Sequence, residues 1–252
     1  MPFYIPLHFV FRDDANLRSI ITMAILYFEF LFLLRWWGRE IWQLPAVFSH
    51  YGLVWSQKNG TEFLKGLAIG LWMVLALFIL MVVLGWANFQ SPANLFGIVL
   101  EGFLTSVAVG FAEELLFRGW FLDELERDYS LSVSLWTNAV IFAATHFIKP
   151  VSEMIRTFPQ FPGLLLLGLI LAVSKRKFNN RLGSAIGLHA GLIWGYYIIN
   201  VGDLVEYSDR VSPWITGVDR NPLAGLMGLC FLGILAFSLQ IIPKQTARKS
   251  KI

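Results

Sequence analysis

The chain has 252 residues, 56% hydrophobic and only 15% charged, with a mean hydropathy of +0.62, whereas a soluble domain carries about a quarter charged residues. This excludes an ordinary soluble globular protein and predicts an all-α polytopic membrane protein. The net charge of +3 is not gathered on a soluble basic face, which excludes nucleic acid as a partner. The single cysteine, Cys230, excludes an internal disulfide and a thiolate metal cluster, and in its apolar run it reads as a small core residue.

In chain order, the opening MPFYIPLHFVFRDDANLR has no basic leader and no small-residue cleavage site, so it reads as part of the mature chain. Its FYIPLHFVF is too short to span, and fits an interfacial segment as well as an ordinary terminal one. Apolar runs follow at 20–37, 66–87, 94–117, 131–148, 161–174, 182–200 and 222–242, most of them near the ~20 residues a spanning helix needs. They predict a bundle of about seven transmembrane helices, 161–174 being the shortest. The mixed aromatic and polar stretch 38–62 reads as an interfacial loop, and FPQFPG at 158–163 as a Pro-punctuated loop. Trp36, Trp37, Trp86, Trp120 and Trp194 flank apolar runs and are assigned to the aromatic belt. No fixed-period repeat or long linker is present. The chain divides into an N-terminal segment 1–93 with two helices and a loop, a core membrane domain 94–242, and a basic tail 243–252.

Basic residues in short loops fix orientation. KRK at 175–177 with Arg181, and KQTARKSKI at the C-terminus, should face the cytoplasmic side of a bacterial inner or thylakoid-type membrane. Counting spans then puts Arg35, Arg39, Lys58 and Lys65 on that side, and the N-terminus and the acidic 201–221 loop outside. That loop holds Asp203, Glu206, Asp209 and Asp219 against Arg210 and Arg220.

Few ionisable residues lie deep in these runs: Glu29, Glu101, Glu113, Glu114, Arg118, His146 and His189. Three of them sit within VGFAEELLFRGW, residues 109–120, and each costs about 2.5–3.5 kcal/mol at the bilayer centre. On a helix, Glu114 and Arg118 share a face and neutralise each other, while Glu113 points about 100° away as an unpaired carboxylate suited to general acid/base work. His146 ends NAVIFAATHF, and His189 lies among small residues in SAIGLHAGLIWGYY. Such groups either hold helices together as a structural polar cluster or converge on one functional cavity. Measured from the cytoplasmic ends, Glu113 and His189 lie roughly 10–14 Å deep and His146 nearer 22 Å, which separates them unless the His146 helix is tilted or starts later. Glu29 reads as facing the bundle interior, and Glu101 as lying near the outer interface. There is no HExxH pair, and zinc would need three ligands from His146, His189 and one glutamate, so neither metal nor cofactor is expected.

EELLFRG at 113–119, FAATH at 142–146 and HAGLI at 189–193 together resemble the EExxxR, FxxxH and third, His-containing motifs of the CPBP (Abi) family. These are intramembrane proteases that include the type II CAAX prenyl endopeptidases and bacteriocin-processing proteins. The resemblance covers about residues 94–200, and TGVDRNPLAGL, residues 216–226, is similar to a tail of bacterial and plastid members. It implies that Glu113 activates a water with help from His146, that Glu114 with Arg118 supports the site, and that His189 stabilises the oxyanion. The reaction implied is metal-independent hydrolysis of a membrane-embedded or lipidated protein. Where the third motif usually has Asn or Asp, this chain has Ile193. Loss of an oxyanion donor costs about 10²–10³ in turnover, so the chain is a slow protease, or uses another donor such as Trp194 or Asn200, or is a non-proteolytic scaffold or assembly factor in a membrane protein complex.

Overall fold

A computed structural model describes residues 15–92 and 94–241; the FYIPLHFVF segment and the basic tail lie outside them. The chain divides into two compact units, one ending at His50 and one beginning at Tyr51. The first holds helix α1 (Ala15–Glu40) and a one-turn helix at Val47–His50. The Leu44 N–H bonds the Gly38 carbonyl at 2.9 Å, so the chain doubles back beside the helix end, where Gly38 leaves room for the Val47 side chain. Glu29 is exposed on α1, not enclosed as expected.

The second unit runs α2 (Gln57–Val83), β1 (Ala87–Phe89), α3 (Leu95–Glu114), a π-helix (Leu115–Phe121), α4 (Leu122–Asp128), α5 (Leu131–Thr145), α6 (Val151–Thr157), α7 (Phe161–Lys177), α8 (Gly183–Val201), β2 (Val205–Tyr207) and α9 (Leu226–Ile241). The two short strands pair antiparallel, Asn88 opposite Glu206. Four helical stretches are long and apolar enough to cross a membrane: Ile21–Glu40, Gln57–Val83, Leu95–Asp128 and Val151–Lys177. Helices α5 and α9 are apolar but have only 15 and 16 residues, about 22–24 Å against a hydrocarbon core of about 30 Å. The protein is an all-α integral membrane protein with one small β-ribbon.

Two expected loops are helical. Ser56 caps α2 by accepting the Asn59 N–H, so residues 57–62 begin the helix instead of ending an interfacial loop. FPQFPG also stays helical: Pro159 and Pro162 fall in the first turns of a 3-10 segment and of α7, where a missing N–H leaves no intrahelical bond unmade. Cys230 is exposed, not buried. The buried stripe of α9 is Gly228, Leu232, Leu235 and Leu239, each about one helical turn from the next, and Cys230 lies off it on a face suited to lipid. The Trp194 indole donates to the Val99 carbonyl at 2.9 Å and ties α8 to α3.

The tightest interface joins α2 and α8. Both carry glycine every fourth residue, at 66 and 70 on α2 and at 183, 187, 191 and 195 on α8. A Cβ on Gly187 would lie 2.0 Å from the Phe63 carbonyl oxygen, and one on Gly191 2.2 Å from that of Leu67. A Cβ added to Gly66 or Gly70 would likewise collide with the Ser184 or Leu188 carbonyl oxygen. The partners advance together along both helices, so α2 and α8 run parallel, backbone against backbone, as small-residue membrane interfaces allow. Helix α3 crosses the other side of α8 antiparallel: Gly102 sits under Tyr197, and Gly110 against Ala190 and Ile186. Pinned between two helices, α8 holds His189 in a fixed place. Gly191→Ala should therefore lower stability in detergent by about 1–3 kcal/mol through overpacking, whereas Gly60→Ala, with nothing within 4 Å of the added Cβ, should be neutral or slightly stabilising; thermal unfolding midpoints of the two variants check this.

Candidate active site

The site is built where α3 passes into the π-helix. A π turn bonds each N–H one residue further back than an α turn, and such segments concentrate at functional sites. Here the Leu122 N–H reaches the Phe117 carbonyl. That carbonyl also accepts from the Asn138 amide at 2.7 Å, and the Arg118 carbonyl accepts from the Lys175 ammonium at 2.6 Å. Side chains of α5 and α7 thus satisfy backbone acceptors along the widened turn, which keeps it stable at a buried position. Asn138 did not stand out in the sequence, and Lys175 was read there only as one of the basic residues that fix orientation, although it is buried.

Glu114 and Arg118 are both fully buried and form an ion pair at 2.9 Å. Arg118 also donates to the Gly168 carbonyl at 3.2 Å, and its guanidinium lies 4.1 Å from the centre of the Phe142 ring. The same Glu114 oxygen that takes Arg118 lies 2.8 Å from His189 Nδ1. A carboxylate paired with arginine can only accept, so Nδ1 carries the hydrogen and Nε2 is turned away from the pair. His146 is fixed in the same sense. Its Nδ1 is 2.8 Å from the Phe142 carbonyl, again an acceptor only, so Nδ1–H points there.

The two remaining imidazole nitrogens face Glu113. His146 Nε2 lies 3.9 Å and His189 Nε2 4.0 Å from Glu113 Oε2, an oxygen that is buried with no hydrogen-bond partner among the described residues. These gaps are too long for a direct hydrogen bond and suit one bridging water. His146 sits at the C-cap of α5 with its ring edge-on to Phe142, 4.8 Å centre to centre, and meets Glu113 despite the depth offset expected from the sequence.

All three groups line one cavity of about 340 Å³. Its other lining is mainly apolar, from α2, α7, α8 and α9, with Gln160, Tyr196 and Asn221 as further polar members. Ile193 lines it too. The substitutes expected for position 193 do not: Trp194 is engaged with Val99, and Asn200 is exposed and borders a different cavity beside Asp203. Glu101 stands apart, exposed on α3 and near Tyr197. Among the described residues, no group of three or more His, Cys, Asp or Glu is arranged to hold a metal ion. Glu113, Glu114, Arg118, His146 and His189 therefore form one connected constellation, in which Glu114 and Arg118 lie behind the cavity wall and the other three face the space.

Comparison with protein families gives a match over residues 94–195 to the model described as "Type II CAAX prenyl endopeptidase Rce1-like". No curated protein and no solved structure matches the chain. The matched segment contains every charged and imidazole side chain of the constellation, from Glu113 to His189. Across residues 94–195 this membrane protein is thus similar to the Rce1-like, type II CAAX prenyl endopeptidase family.

Proposed function

We propose that the chain is an intramembrane endopeptidase that hydrolyses a peptide bond of a membrane-associated protein with a glutamate-activated water. The observation that carries this reading is the convergence of Glu113, His146 and His189 on one cavity, with Glu113 Oε2 3.9 and 4.0 Å from the two Nε2 atoms. A water held there would donate to Glu113, which takes its proton as the oxygen attacks the scissile carbonyl. His146 Nε2, a lone pair in the neutral ring, steers the same water. His189 acts on the oxyanion only as an imidazolium, with Nε2–H facing the cavity and the Glu114 carboxylate under Nδ1 balancing the charge. Glu114 and Arg118 touch no substrate and serve as positioning residues. The apolar lining excludes bulk water and suits a lipidated or membrane-embedded chain, entering from the bilayer.

The charge pattern supports an orientation with the α7–α8 junction cytoplasmic. Lys175, Arg176 and Lys177 end α7, and Arg181 follows, bonded to Glu62. The acidic loop between α8 and α9 lies at the other end of these helices, outside. A second reading, a non-proteolytic membrane scaffold, is favoured by one observation: Ile193 presents an apolar side chain to the cavity where the family motif has a polar one.

Two substitutions in adjacent residues separate the readings. Glu113→Gln keeps the shape and removes the base; it should lower cleavage of an internally quenched farnesylated peptide ending in Cys-aliphatic-aliphatic-X by about 10²–10⁴, with stability within about 1 kcal/mol of wild type. Glu114→Ala strands the Arg118 charge and should destabilise the fold by about 3–5 kcal/mol. Cleavage is measured in proteoliposomes and stability by thermal unfolding. Equal loss of folding and activity in Glu113→Gln, or no cleavage by wild type on long incubation, would move the assignment to the scaffold. Activity abolished by chelator and restored by zinc would replace the glutamate mechanism with a metal one.

A further inference from the structure

The hydrogen-bonding polarity of the cavity is one-sided at its reactive end. The one donor there, His189 Nε2–H in the imidazolium, is committed to the oxyanion, while Glu113 and the neutral His146, whose Nδ1–H is fixed on Phe142, offer a carboxylate and a ring lone pair. These are acceptors. A peptide backbone brings carbonyl oxygens, which are acceptors as well, so its recognition needs donors from elsewhere in the cavity.

The uncharged polar side chains there are Gln160, Tyr196 and Asn221. The Tyr196 hydroxyl is directed to the Arg220 carbonyl at 3.4 Å. Asn221 Oδ1 accepts the Leu223 N–H at 3.0 Å, and a backbone N–H can bond only the oxygen of an amide, so the NH₂ end is identified and its plane is set. Gln160 ends the 3-10 turn before α7, and its amide makes no hydrogen bond to any described residue. Two amide groups with donors to offer thus stand on a largely apolar lining, one from each of two segments far apart in sequence. Ile193, on the same lining, offers none.

The geometry points to Gln160 and Asn221 as substrate-positioning residues whose side-chain amides donate to backbone carbonyls of the bound peptide, a role that rests on the endopeptidase reading above. They bind the peptide ahead of the chemistry and contribute equally to the bound substrate and the transition state. Removing either should raise KM about tenfold, the scale of one lost hydrogen bond, with kcat little changed.

The test uses the full chain in proteoliposomes and the farnesylated peptide probe. Gln160→Met keeps length and removes the donor; Asn221→Asp keeps the oxygen that accepts Leu223 N–H and removes the NH₂. For each, KM and kcat are measured, together with the Kd of a fluorescent form of the peptide on the Glu113→Gln background, where binding is read without turnover. A second probe has single backbone carbonyls replaced by methylene. The expected result is a roughly tenfold weaker Kd for each variant at unchanged thermal midpoint, and for one carbonyl position a loss that is present in wild type and absent in Gln160→Met. Unchanged Kd and KM in both folded variants would overturn the assignment while cleavage by wild type leaves the endopeptidase reading standing. A fall in kcat at constant KM would also overturn it, placing these amides in the chemical step. A wild-type chain that neither binds nor cleaves the peptide removes the endopeptidase reading and this assignment with it.

Discussion

The structure is organised around a full negative and a full positive charge, Glu114 and Arg118, both with no exposed side-chain surface. Neither can be left alone in such surroundings, because removing one partner strands the other at a cost of about 3–5 kcal/mol. The two therefore draw in what they need. Arg118 takes the Gly168 carbonyl and the face of Phe142, while Glu114 takes the Nδ1–H of His189. Each of those contacts comes from a different helix. The contacts of this one ion pair tie α3, α5, α7 and α8 to one another.

Glu113 is the beneficiary of that arrangement. With its neighbour committed to Arg118, the adjacent carboxylate faces the cavity and meets two imidazoles, each held from behind through Nδ1. The same logic orients histidine in hydrolytic sites generally, where a fixed partner on one ring nitrogen decides what the other nitrogen does. Here one such partner is a carboxylate and the other a backbone carbonyl, so the two rings are not equivalent. His189 has a counter-charge directly behind it; His146 does not. The π-helix belongs to the same scheme, because the widened turn exposes carbonyls that Asn138 and Lys175 reach from α5 and α7.

Close helix packing is the complement of this polar core. In lipid, apolar side chains gain little by leaving one another for a neighbouring helix, so backbones approach where glycine permits and dispersion contacts accumulate. The glycine ladder between α2 and α8 places the His189 helix by contact with backbone atoms, which yield far less than flexible side chains. Residues outside the ladder remain free to meet lipid, which is why so many large apolar side chains, Trp72 and Leu104 among them, are exposed.

Much of this was legible in the amino-acid order. The apolar runs located the membrane helices to within a few residues at most ends, and the spacing of Glu113, Glu114 and Arg118 divided a paired from an unpaired carboxylate, since helical period alone sets which residues share a face. What the order left open depended on contacts between distant segments. The meeting of the His146 ring with Glu113, the helical FPQFPG turn, the solvent- or lipid-facing position of Cys230 and the engagement of Trp194 with Val99 are set by tertiary neighbours, and an apolar run reads alike whether it faces protein or lipid. The common cavity, and the presence in it of Gln160 and Asn221, come from chain segments with no local signal tying them to Glu113. Local periodicity determines a helix and its faces; only packing decides which faces meet, because the energy of that choice lies in pairings between residues that the sequence keeps far apart.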